Sequence, residues 1–175
     1  MKNNKGFTMM ELIVIIVIIL IITLGTFYLS PKLIIRQRLK NNAWQILNDI
    51  KEVQERARSQ LESLRIEFNL NTKDTYRYEL RKNGFETTQN FVIKNLDKNI
   101  YLKSVKIGDT IYSSGVVQYM YDEWGVPKKI DNNYIDGGVL IIIETPNLKN
   151  SSGENLSVEI TVSPGTGTLR MDGPK

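Results

Sequence analysis

Hydrophobic residues follow three different rules along this chain. From Leu12 to Leu24 they are nearly continuous (LIVIIVIILIITL), and between Phe7 and Leu29 the only charge is Glu11. As a helix this stretch is about 34 Å long, enough to cross a hydrocarbon core of roughly 30 Å. Further on, Leu39, Ala43, Leu47, Ile50, Val53, Ala57, Leu61 and Leu64 recur at steps of three and four. That spacing is one stripe of an amphipathic helix. Pro31 stands where the two segments meet and predicts a kink. Together they read as one helix from about Phe7 to Glu62, on the order of 84 Å long.

Beyond Glu62 the period falls to two. Leu64, Ile66, Phe68 and Leu70 alternate with Arg65, Glu67 and Asn69, and Tyr76, Tyr78 and Leu80 alternate with Arg77, Glu79 and Arg81. Asn71–Asp74 between them reads as a hairpin loop, and Asn83–Gly84 as a turn. Further strands are expected at 99–107, 116–121, 139–144, 157–162 and 168–171, separated by turn-rich pieces at Gly137–Gly138, Asn150–Gly153 and Pro164–Gly167. Val139–Ile143 (VLIII) is apolar on both faces and predicts a central strand. One long helix followed by many short strands argues for an α+β fold, with the helix stripe packed on an antiparallel sheet.

Composition narrows the chemistry. The 175 residues contain no Cys and no His, so disulfides, thiol catalysis and His-based acid–base chemistry are excluded, as are zinc sites built on Cys or His. The net charge of +4 is uneven. Residues 1–62 hold 9 of the 23 Lys/Arg and 5 of the 19 Asp/Glu, which leaves 63–175 neutral. A domain that binds nucleic acid electrostatically carries a basic excess, and this one does not.

A secretory signal peptide is a poor fit, because no A-x-A-like cleavage site follows the apolar run and a helix continues instead. The junction Lys5–Gly6–Phe7–Thr8–Met9–Met10–Glu11–Leu12 resembles the processing site of type IV prepilins and type II secretion pseudopilins. Both have a short basic leader ending in Gly, then Phe and Thr, an acid at the fifth residue after the cut, and an apolar helix behind. The resemblance implies a leader at 1–6, a transmembrane helix and later filament core at 7–30, the amphipathic half of the helix at 31–62 and a β-rich pilin domain at 63–175. It implies cleavage between Gly6 and Phe7 by a prepilin peptidase and N-methylation of Phe7. It also implies a register role for Glu11 in assembly, with the α-amine of Phe7 as its cationic partner. A carboxylate at the edge of an apolar span is costly enough to need such a partner.

The implied partners are the peptidase, other pilin subunits, membrane lipid and an inner-membrane assembly platform. No cofactor or metal is implied, and no enzyme activity. The back half resembles, on shorter motifs, the GspH/FimT-like minor pseudopilins: Asp122–Glu123–Trp124–Gly125, the Gly137–Glu144 strand, and a last strand pair around Thr166–Gly167. Pro31 falls three residues later than the usual pilin-helix proline, and the C-terminal Cys pair of many major pilins is absent.

Three other readings compete. A filament-tip module, such as a DNA receptor, would use Arg65, Arg77 and Arg81 among Tyr76 and Tyr78. Alternation turns those tyrosines to the core and Glu67 and Glu79 dilute the polar face, so it is not favoured. Calcium at Asp122, Glu123, Asp131 and Asp136 is not favoured either, because their spacing fits no calcium loop. Ser163–Gly167 is glycine-rich but lacks the Gly–Lys–Ser/Thr ending of a phosphate loop, and reads as a turn. One signal conflicts with the main reading. Lys32, Arg36, Arg38 and Lys40 follow the apolar span whereas only Lys2 and Lys5 precede it. The positive-inside rule therefore puts the C-terminal side in the cytoplasm, while the resemblance implies the reverse. On that reading the four cations meet lipid headgroups or acids of a neighbouring subunit.

Overall fold

A computed structural model describes residues 8–81 and 91–174, without the side chains of 24–30. The chain falls into two compact units, Met1–Ile35 and Arg36–Lys175. The expected turn at Asn83–Gly84 lies outside the described residues.

Among the described residues one helix, α1 (Met9–Gln60), precedes ten strands, and Pro31 lies inside it. In the first unit the apolar side chains from Leu12 to Ile22 are exposed on every face, by 41% to 65%. A helix that packs on a soluble core shows one apolar stripe, and this one is apolar all round. Among the described residues, however, no helix is long and apolar enough to cross a membrane.

In the second unit the amphipathic stripe is present. Leu39, Ala43, Leu47, Ile50, Val53 and Ala57 are buried, joined by Ile46. Leu61, expected on the same stripe, is 69% exposed. The helix has already ended there. Leu61 takes the left-handed φ of 52°, and the Glu62 amide donates to the Ala57 carbonyl at 3.2 Å, the closing bond of a Schellman-type cap. Leu64 is buried from the first strand rather than from the helix.

The strands are β1 (Leu64–Asn69), β2 (Thr75–Glu79), β3 (Phe91–Asn95), β4 (Tyr101–Ile107), β5 (Thr110–Tyr112), β6 (Val116–Tyr121), β7 (Pro127–Lys128), β8 (Val139–Lys149), β9 (Asn155–Val162) and β10 (Leu169–Asp172). The expectation of one sheet is corrected, because they form two five-stranded antiparallel sheets. Sheet A has the order β3-β2-β1-β6-β7 and sheet B the order β10-β9-β8-β4-β5. Strand β8 is central, as its apolar run predicts, and pairs with β9 from Val139 to Lys149 and with β4 over Val139–Glu144. Helix α1 and the inner rows of both sheets share one core. From sheet A, Phe68 stacks on Tyr76 and Tyr119 at 6.0 and 6.3 Å, and Tyr119 meets Tyr121 edge-on at 5.6 Å. Sheet B supplies Val105, Ile141, Ile143, Val158 and Ile160.

Polar ties fix the helix within this unit. Asn42 Nδ2 donates to Asp97 Oδ2 at 2.8 Å while the Asp97 amide returns a bond to Asn42 Oδ1 at 2.9 Å. Gln54 Nε2 donates to the Gly125 carbonyl at 2.8 Å, and Arg58 Nε to the Trp124 carbonyl at 2.9 Å.

Candidate functional site

The residues singled out for processing and assembly cluster at the start of the chain. Gly6 and Phe7 lie outside the described residues. Glu11 lies within them, in the first turn of α1.

Helix N-termini leave backbone N–H groups without intrahelical partners, and Thr8 and Glu11 satisfy two of these reciprocally. The Glu11 amide donates to Thr8 Oγ1 at 3.2 Å. The Thr8 amide donates to Glu11 Oε2 at 3.0 Å, and the Thr8 hydroxyl to the same oxygen at 3.1 Å. This is a capping box, with Thr8 as N-cap and Glu11 three residues on. The carboxylate expected to turn to the Phe7 amine is thus held by its own helix terminus. It remains at the surface, where a second donor can reach it. Thr8 is the site residue that reasoning from membrane cost overlooks, although the spacing Thr-x-x-Glu announces it.

The other candidate clusters resolve into structural roles. Tyr76 and Tyr78 are buried against α1. Tyr76 Oη donates to Asp49 Oδ2 at 2.6 Å, and Tyr78 Oη lies 3.4 Å from Glu52 Oε2. Burial drives both phenols well above the ordinary tyrosine range. Of the three arginines proposed beside them, two are neutralised across the strands. Arg77 donates to both oxygens of Glu67, at 2.6 and 2.9 Å, and Arg65 binds Glu79 at 2.7 Å. Arg81 is exposed, and no acid pairs with it among the described residues.

The acids near Trp124 are committed as well. Asp122 Oδ1 accepts from the Trp124 and Val126 amides at 3.0 and 2.8 Å, and Oδ2 pairs with Lys128 at 3.0 Å. That contact raises the Lys128 ammonium above its usual value, and the ammonium also sits 4.5 Å over the Tyr134 ring. Asp131 closes a turn onto Asn133, whose amide donates at 3.1 Å and holds the Asp131 carboxyl below its usual range. Among the described residues no three acids converge as a metal site. Ser163–Gly167 is the turn between β9 and β10, closed by the Gly167 amide on the Ser163 carbonyl at 3.0 Å.

Comparison with known proteins gives one match. Residues 1–27 fit the family model of the prokaryotic N-terminal methylation motif. No curated protein and no solved structure matches this chain.

Proposed function

Taking the N-terminal methylation motif as the mark of a type IV pilin or pseudopilin, a structural class and not an enzyme, we propose that this chain is a minor subunit of a pilus-like or type II secretion filament. A prepilin peptidase cuts between Gly6 and Phe7, releasing the leader 1–6, and Phe7 is then N-methylated. Residues 7–30 hold the subunit in the cytoplasmic membrane before assembly and join the filament core afterwards. Residues 31–62 continue the helix, and 63–175 form the β-rich domain on the extracytoplasmic side. Extraction into a periplasmic or surface filament runs through an inner-membrane assembly platform. The reading is carried by the coincidence of the matched motif with an all-round apolar helix surface behind it.

Glu11 sets subunit register. Its carboxylate lies at the surface and holds only Thr8 among the described residues. Cleavage after Gly6 frees the α-amine of Phe7, the cation that the resemblance pairs with Glu11, in its own chain or a neighbour's. Minor status is supported by the last strand pair, β9 and β10, around Thr166–Gly167, and by a sequence without cysteine. Mass spectrometry of the chain from cells with and without the peptidase tests the reading. The expected mature N-terminus is Phe7 carrying one methyl group, and an intact Met1 in peptidase-positive cells sinks it.

A further inference from the structure

We infer that the start of the second unit carries a cationic collar that binds anionic phospholipid headgroups. The inference rests on the membrane-anchor reading of residues 7–30. From Leu12 to Asn48 the chain has no acid, yet Arg36, Arg38 and Lys40 fall within five residues of one another. All three side chains are exposed. None has an ion-pair partner among the described residues, although acids elsewhere on α1 do pair: Glu52 with Arg56 at 2.8 Å and Glu55 with Lys51 at 3.9 Å.

Placement singles out the occupant. On α1, Arg36 and Lys40 are one turn apart and share a face, while Arg38 points the other way. The core-facing residue Leu39 lies between Arg38 and Lys40 and is fully buried. A deep anion pocket would gather the charges on one face. Arg36, Arg38 and Lys40 are instead exposed on two faces of the helix, as suits a plane of headgroups. Exposed Leu33 and Ile34 precede them, and long Lys and Arg stems reach from such an apolar boundary to the polar layer. Near an anionic surface each cation contributes about 1 kcal/mol, roughly a fivefold preference. The excess also accounts for the conflict with the positive-inside count: the cations serve a lipid surface rather than orientation.

The chain has no cysteine, so single labels are clean. Full-length protein is reconstituted with Gln37→Cys carrying a fluorophore, in phosphatidylcholine liposomes with or without phosphatidylglycerol bearing a headgroup spin label. A second preparation carries the label at Ile16→Cys and is read with acyl-chain spin labels. The expected result is quenching at position 37 at least about twofold above that with headgroup-labelled phosphatidylcholine at equal label density. It falls to that level in R36Q/R38Q/K40Q and in molar salt, where the Debye length is about 3 Å, and survives in R36K/R38K/K40R. Equal quenching by both lipids overturns the collar, as does quenching unchanged in R36Q/R38Q/K40Q. A position-37 signal that depends on protein density and not on phosphatidylglycerol also overturns it, in favour of acids on a second copy. Absence of acyl-chain quenching at position 16 overturns the anchor reading itself.

Discussion

Tyr76 Oη sits 2.6 Å from Asp49 Oδ2 and joins the second strand to the middle of the helix through a carboxyl group that is itself buried. Burial raises the Asp49 carboxyl above its ordinary range. The Tyr76 bond and the charge of Lys94 pull it down in part, while Glu52 pushes it up and the Tyr78 bond lowers it slightly. Because the folded value exceeds the unfolded one, this group's stabilisation is full below about pH 4. It is lost as pH rises through the raised folded value. The urea midpoint of wild type should therefore fall across this window more steeply than that of Asp49→Asn. Parallel pH profiles for the two proteins would exclude the assignment. Tyr76→Phe removes the 2.6 Å bond to the buried carboxyl and should cost about 1–3 kcal/mol at neutral pH.

A second carboxylate does the work of a strand. Glu79 is 1% exposed, and its Oε2 accepts the Arg65 amide at 2.8 Å while Oε1 accepts Arg65 Nε at 2.9 Å. The β1–β2 ladder ends one residue earlier, at Ile66↔Tyr78, so the side chain replaces the next backbone bond. Glu79→Ala should destabilise by about 1–3 kcal/mol, because it leaves the Arg65 amide without its acceptor. Glu79→Gln keeps an acceptor for the amide and should cost less. Equal losses in chemical denaturation would argue against the ladder role.

Gly167 is expected to tolerate no side chain. Its φ is 66°, and a Cβ there would stand 2.3 Å from Gln54 Nε2 and 2.6 Å from the Gly125 carbonyl oxygen. Gly167→Ala should cost more than the roughly 1–3 kcal/mol of backbone strain alone, since the Gln54 contact to Gly125 must break too. Gly153→Ala, also at positive φ but with open space around the added atom, should show only the strain component. Thermal unfolding of both variants separates the two effects.

At the other end of the chain, Thr8→Val keeps the shape of residue 8 and removes its oxygen. Loss of an N-cap costs about 1 kcal/mol. The Glu11 amide, which donates to Thr8 Oγ1, should exchange hydrogen roughly fivefold faster in detergent micelles. Thr8→Ser should restore the wild-type rate. Identical exchange in Thr8→Val would show that the box contributes nothing to the helix end.

Periodicity made the helix stripe, the central strand and the hairpin at Asn71–Asp74 legible, because those elements bury one face against one core. It could not distinguish two sheets from one. Alternation in β6 and in β9 looks the same although they belong to different sheets, and pairing across more than forty residues leaves no local trace. Strands β5 and β7 are too short to show a period. Leu61 kept the stripe's spacing and lost its burial to a cap that depends on φ, not on hydrophobicity. At the candidate site, the motif around Gly6, Phe7 and Glu11 was readable from residue types alone. The hold of Thr8 on Glu11 was readable only as a spacing, and it is masked by the apolar residues on both sides.

The turn that carries Trp124 has one more consequence. Its backbone is clamped by Asp122, Arg58 and Gln54, yet the indole is 71% exposed, and Trp44, the other tryptophan, is 46% exposed. Both indoles already see water in the native state. Intrinsic tryptophan emission will therefore barely shift on unfolding and would understate cooperativity. The optical signal of the core resides in Tyr76, Tyr119 and Tyr121, all packed in the interior, and near-ultraviolet tyrosine dichroism is the measurement by which this fold should be followed.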